Sequence, residues 1–323
     1  MQASFSDLEY VVKKQVPRCD WSLSEIDAMT PWSALIPEIE AFYSKGVGRG
    51  RPHVDVQQRL RIYIAHHCFG LSDEGIEDAT YGSQAIRGVI GIDLDRETAP
   101  NATSLPKFRR LLGTKKLTER MFIDICQILA ANGLLLWEGA LMDATIIESP
   151  SSTRNKNGAR GPDIHQTEKG SQSHFELNAR IGVVAESRLT HTLRTTSANV
   201  SDITQAYALL HGDGSAASGD ACYHRQENQS RSVKRRVALS PGKLHALLDT
   251  KIRRLREQLE KLKAIIRAKV AHPFHVVENI FGNKRAHYRG QAENTVQLHT
   301  LFGLANLMIA KRRLFELHAQ GAS

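Results

Sequence analysis

GALMDATII, residues 139–147, sets one acidic group, Asp143, inside a run of apolar and β-branched residues that reads as a buried strand. A carboxylate in that setting is costly to desolvate unless a cation compensates it. The stretch AASGDACY, residues 216–223, repeats the arrangement as a short strand ending at Asp220. Ligand-binding residues gather at strand ends in open α/β sheets, so two such aspartates point to a bound metal. Either aspartate alone also reads as a cap for the turn that follows. The surroundings favour the metal: a basic polar loop, SSTRNKNGAR (151–160), follows Asp143, and Asn199, Ser201 and Asp202 head a helix-like stretch before Asp220.

Working outward, NARIGVVAE (178–186) and LTHTLRTT (189–196) alternate as the strands of a hairpin, SDITQAYALLHG (201–212) returns to helical spacing, and RRVALSPGK (235–243) reads as a further strand closed by Pro241 and Gly242. Strand, hairpin, helix, strand and then helices predict an α/β fold, a mixed sheet flanked by helices. The N-terminal third predicts short helices broken by turns. Ser22 and Glu25 have capping-box spacing, Pro31 and Trp32 open a second helix, and GVGRGRP (46–52) interrupts the pattern. VDVQQRLRIYIAHHCFG (54–70) predicts an amphipathic helix through Val56, Leu60, Ile64 and His67. Such helices suit a helix-turn-helix DNA-binding unit and equally any small bundle. Near the C-terminus, Leu248, Ile252, Leu255, Leu259, Leu262 and Ile266 form a heptad-like stripe on a basic helix starting near Lys243. That stripe reads either as core packing beneath a solvated face or as the back of a helix lying along DNA.

The formal net charge of +9 and pI near 9.4 give a surface that concentrates polyanions, of which nucleic acid is the commonest in the cytosol. Cys19, Cys68, Cys126 and Cys222 lack CxxC spacing and read as thiols of a reducing compartment. The opening MQASFSDLEYVVKK has no apolar core segment and is not expected to be a signal peptide. The apolar stretch AANGLLLW (130–137) is too short to span a bilayer, so no membrane association is expected.

In this order the chain carries GALMDATIIESPSSTRNKN, HQTEKGSQ, ARIGV, SANVSDITQA, GDACY, PGK, IRAKVAHPFHVV and YRGQAENTVQLHTLFGLANLMIAKRRL, preceded by PWSALIPEIEAFY, GRGRP, LRIYIAHHCFGLSDEGIEDATYGS and TSLPKFRRLL. Over nearly its whole length it resembles the bacterial insertion-sequence-five transposases. The resemblance implies a DDE transposase with a helical N-terminal DNA-binding domain (1–115) and an RNase H-like catalytic domain with long C-terminal helices (116–323). Such an enzyme cuts double-stranded DNA at the element's terminal repeats and joins the freed 3′-hydroxyls to target DNA. It uses two Mg or Mn ions, acts as a homodimer or higher oligomer on DNA, and works in the bacterial cytoplasm at the nucleoid.

The family's first two carboxylates fall on Asp143 and Asp220. The third does not: Ala271 stands at the family's Glu position, with Arg267 four residues before it, and the Lys usual seven residues later is Glu278. Glu278 lies on nearly the same helix face as Ala271 but about 10.5 Å further along the axis, so without a register shift it cannot take that place. Cys222 stands where glycine is common and reads as an inert thiol, while His275 replaces a common arginine. His272 and His275 have a spacing open to zinc ligation, although packing explains the HPF context better. Asp143 and Asp220 are the expected metal ligands, and Arg154, Lys156, Arg160, Arg267 and Lys269 the expected DNA phosphate contacts. The expectation is a transposase impaired in chemistry by Ala271. The alternative is a domesticated, non-enzymatic DNA-binding protein, and a nuclease or metal hydrolase of the same fold rests on fold analogy alone.

Overall fold

Apolar residues recurring between side-chain caps make the N-terminal third helical. The computed structural model describes residues 18–43, 54–135, 140–148, 166–169, 172–197, 216–218, 234–235, 251–288 and 290–321. Its first helices are α1 (Arg18–Met29), α2 (Trp32–Glu40), α3 (Val56–Cys68), α4 (Asp73–Gly82), α5 (Gln84–Ile90), α6 (Ser104–Thr114) and α7 (Leu117–Ala131). Asp55 caps α3 by accepting from the backbone N–H groups of Gln57 and Gln58 at 3.0 and 3.3 Å. Ser72 caps α4 through Gly75 N at 2.9 Å, and Gly91 ends α5 at φ 76°, where a side chain would be strained.

The amphipathic reading of α3 needs correction. Besides Val56, Leu60, Ile64 and His67, the helix buries Ile62, Tyr63, Ala65, His66 and Cys68, because α2, α4, α5, α6 and the long C-terminal helix pack around it. It is a central core helix, and the partly exposed residues, Gln57, Gln58, Arg59 and Arg61, fall in its first turns.

The sheet comprises β1 (Ala140–Glu148), β2 (Gln166–Lys169), β3 (Gln172–Val184), β4 (Thr190–Ser197), β5 (Ala216–Ser218) and β6 (Lys234–Arg235). β1 runs antiparallel to β3 from Ala140↔Val184 to Glu148↔Glu176, and β4 forms the expected hairpin on the other side of β3. β2 pairs with the first residues of β3. β5 lies parallel to β1, with Ala140↔Ala217 and Leu141↔Ser218, and β6 lies parallel to β5. Residues 201–212 and 236–243, expected as helix and strand, lie outside the described residues.

Three further helices follow: α8 (Lys251–Ala268), α9 (Ala271–His275), which continues as a π-helical turn over Val276–Ile280, and α10 (Gln291–Gly321). At about 1.5 Å per residue α10 is some 46 Å long, and it ties the sheet to the N-terminal helices. Asn306 accepts from Thr190 N at 2.8 Å and donates to Thr190 O at 2.7 Å, while Tyr63 and Thr300 share a hydroxyl contact at 3.3 Å. Gly303 permits a close crossing with α7, since a Cβ there would stand 3.1 Å from Ile125 Cδ1. One hydrophobic core therefore runs from Leu35 and Leu60 through Leu112 and Phe302 to Ile181 and Val183.

The core-packing reading of the α8 stripe is also corrected. Of the stripe, Leu255, Leu259 and Leu262 are 51–57% exposed, because among the described elements α8 has close contacts chiefly with α9, while the side chains of Leu248, Ile252 and Ile266 lie outside those described.

A buried polar clasp joins the N-terminal helices to the segment leading into α10. Arg109 of α6 donates to both oxygens of Asp73 at 3.1 Å, donates to the Tyr288 hydroxyl at 2.7 Å, and lies 4.3 Å from the centre of that ring. Asn294 fixes Tyr288 by accepting from its N–H at 3.2 Å and donating to its carbonyl at 2.7 Å. His66 Nε2 meets Asp73 at 3.1 Å, yet burial holds its pKa down to about 4 despite the carboxylate, which Arg109 already engages. The contact is therefore a neutral imidazole N–H donating to Asp73. Burial also keeps His67 well below the usual histidine range.

Both histidines are thus neutral when folded and protonate near pH 6.5 when unfolded, so the unfolded chain binds an extra proton at His66 between about pH 6.5 and 4, and His67 acts in the same direction. Stability is full above that window and falls as pH drops through it, by about 1.4 kcal/mol per pH unit per histidine. Denaturant unfolding should accordingly show a loss of about 2 kcal/mol between pH 7 and pH 5 from His66, with His67 adding to it. A stability profile that is flat over that range contradicts the assignment.

Candidate active site

Alternation along β1 places positions 141, 143, 145 and 147 on one face of the strand. Leu141 and Ile147 are buried there, and the register sets 143 opposite Ile181 and Thr145 opposite Ala179, both fully buried residues of β3. Position 143 therefore belongs to the sheet face on which α9 and α10 pack. Phe274, Val277, Leu298 and Phe302 close against Thr145, Ile147 and Ala179, leaving about 10 Å³ of free space, room for one water at most.

The same packing brings Glu278 to β1. Its Oε1 accepts a hydrogen bond from the Thr145 hydroxyl at 3.2 Å, two residues and about 6.6 Å along the strand from position 143. Glu278 is half-buried, and among the described residues no lysine or arginine forms an ion pair with it. A carboxylate with one hydroxyl donor and no cation keeps capacity for a further positive partner. Glu278 sits in the π-helical turn, where Phe281 N donates to Val276 O at 3.0 Å in the i→i+5 pattern. Such a turn shifts the register of a helix and recurs at functional sites. Ala271, seven residues earlier, is exposed at the first residue of α9. Lys269 is half-buried in the turn before it, and Arg267 belongs to the last turn of α8.

Asp220, Cys222, Arg154, Lys156 and Arg160 lie outside the described residues. The strand leading to Asp220 is described: Ser218, two residues short of it, pairs with Leu141, two residues short of Asp143. His275 contacts Asn279 at 3.1 Å, and burial lowers the pKa of the half-buried His272, with Arg188 and His275 adding to the effect. Among the described residues no three His, Cys, Asp or Glu side chains cluster as a metal site. Thr145 was missed from sequence, although its i+2 relation to Asp143 on a strand was the signal available.

The family described as Transposase DDE domain matches residues 138–307, more than half of the 323-residue chain, and begins just before β1. The chain belongs to the DDE transposases. A second match, to a transposase domain (DUF772), covers residues 10–111 and hence α1 to most of α6. The DDE-domain match takes in β1 with Asp143, the strand before Asp220, the α9 turn with Glu278, and α10 as far as Leu307. Membership of this family brings DNA transposition, and with it DNA binding and divalent-metal chemistry, as the general function. Among the described residues no helix is long and apolar enough to cross a membrane.

Proposed function

We propose that the protein binds the terminal repeats of an insertion sequence in the bacterial cytoplasm, as a homodimer or higher oligomer, and that its DDE domain is built for cleaving those ends and transferring them to target DNA. The observation that carries this reading is the strand pairing. Leu141 pairs with Ser218, and each stands two residues before one of the aspartates in sequence, which supports a shared site for carboxylates 77 positions (220 − 143) apart. The strand order β4-β3-β1-β5-β6, with β1, β5 and β6 parallel, supports an RNase H-like domain. Residues 1–115 would be the DNA-binding unit and 116–323 the catalytic one, sharing a core through α10.

The donor set suits a hard divalent ion, because the aspartates, Thr145 and Glu278 offer only oxygen. Asp143 and Asp220 would hold Mg or Mn. When bound, such ions supply Lewis-acid stabilisation of the phosphodiester and activation of the attacking hydroxyl. Ala271 offers no oxygen where the resemblance sets the third carboxylate, so this chain is impaired in chemistry while retaining DNA binding. The contact between Glu278 and Thr145 favours a second reading, in which Glu278 serves as a displaced third carboxylate. Ala271 alone favours the non-enzymatic DNA-binding alternative.

DNA affinity should be strongly salt-dependent, since it comes from many Lys and Arg contacts. With six or more phosphate contacts, binding of end-bearing duplex should weaken by about 10³-fold or more between 50 and 200 mM salt. Fluorescence anisotropy checks this, and a flat response, or no binding to any duplex, contradicts the transposase reading.

A further inference from the structure

Away from the carboxylate site, the N-terminal helices enclose a cleft of about 1040 Å³ between the first turns of α3 and α6 and the connection from α5 to α6. Arg59, Arg61, Arg96 and Lys107 line it, against two acids, Asp55 and Glu97. Those acids are already engaged. Asp55 is the cap of α3, and Glu97 accepts from Gln58 Nε2 at 3.4 Å. Arg61 is also committed, to Asp27 at 3.1 Å and the Val89 carbonyl at 2.7 Å.

The other cations differ. Lys107 is exposed and has no protein partner among the described residues. Arg96 has a side chain 70% exposed and among the described residues reaches only Asp93, at 3.5 Å. Arg59 makes a long 3.4 Å bond to the Ser104 carbonyl, and its Nε is buried without a partner. Lys107 also stands in the first turn of α6, which has neither a side-chain cap nor an acidic residue, so the positive end of that helix opens on the same cleft. Thr103, Ser104 and Asn101 add neutral donors along its wall.

We propose that this cleft binds the sugar-phosphate backbone of DNA, with phosphates meeting Arg59, Arg96 and Lys107. The proposal rests on the DNA-transposase reading and deepens it by naming, within residues 1–115, the cleft and the cations that hold the backbone. The physical basis is an imbalance: four cations line the cleft against two carboxylates, and Arg96 and Lys107 project to solvent. A polyanion gains most where cations need not first be freed from a protein partner.

The test uses the full chain with Arg96→Ala/Lys107→Ala, and as a control of equal charge change Arg312→Ala/Arg313→Ala, both exposed near the C-terminal end of α10. Anisotropy is measured across a salt series on end-bearing duplex and on the matching single strand. The cleft variant should weaken binding about tenfold and flatten the log–log salt slope by about 2, with an unchanged thermal midpoint. The control should shift neither. Loss in the cleft variant with either DNA form supports the proposal, and the form more affected identifies the natural source of the backbone. Equal loss in cleft variant and control, or none in the cleft variant while the unaltered chain binds DNA, overturns the cleft assignment alone. Absence of binding by the unaltered chain overturns the transposase reading as well.

Discussion

Arg109→Ala is expected to cost about 3 kcal/mol of stability and to lower the thermal midpoint by roughly 5–10 °C. The guanidinium is the hub of the clasp: it satisfies both oxygens of Asp73, donates to Tyr288 and stacks on its ring. Its side chain is only 12% exposed and that of Asp73 28%, so removing the cation leaves a largely buried carboxylate with only the neutral His66 imidazole. The stranded charge, more than the lost attraction, makes the change severe. Asp73→Ala in the Arg109→Ala background should therefore be less destabilised than the sum of the single changes, which thermal unfolding of the four proteins measures. Additive losses contradict the coupling. The clasp also holds Tyr288, which follows the turn carrying Glu278, so loosening it should weaken the seating of that turn on β1.

Much of this architecture was legible where chemistry is local. GALMDATII and NARIGVVAE were legible as strands, although residues 177–184 of the second are buried on both faces rather than alternately, and Ser22, with its capping-box spacing, lies inside α1 instead of at a helix start. Long-range contacts were not legible. The links from Arg109 to Asp73 and Tyr288 span 36 and 179 residues, and no periodicity announces them. Spacing places residues on a face without saying what meets it. Hence the apolar stripe of α8, which read equally as core packing or as the back of a DNA-tracking helix, is exposed at Leu255, Leu259 and Leu262, and α3 looked amphipathic and is buried on most sides. The candidate site was legible as Asp143 on a strand, although position 143 falls in the middle of β1, which runs on to Glu148, and not at the strand end expected. The arrival of Glu278 beside Thr145 was not, because a π-helical turn is a tertiary adjustment that the sequence VVENI does not display.

Ala271→Glu is expected to raise Mg-dependent cleavage of end-bearing DNA by roughly 100-fold or more, the scale of about 3 kcal/mol of transition-state stabilisation. The substitution supplies an oxygen ligand at the family position, and Ala271 is exposed at the start of α9, so a longer side chain is accommodated without repacking the core. Combining it with Glu278→Lys, which restores the residue usual in the family, should raise activity further by removing the second carboxylate beside Thr145. If Glu278 instead serves as a displaced ligand, the unaltered chain already cleaves DNA and Glu278→Gln abolishes that activity.

The central claim, a metal-dependent transposase site built on β1 at Asp143, is tested most directly by cleavage of labelled end-bearing duplex with Mg or Mn and with chelator. The proteins compared are the unaltered chain, Ala271→Glu, and Ala271→Glu/Asp143→Asn. Metal-dependent product is expected from Ala271→Glu, its loss in the double variant with DNA affinity nearly unchanged, and little or none from the unaltered chain. Cleavage that persists undiminished after Asp143→Asn, or that needs no divalent metal, contradicts that claim.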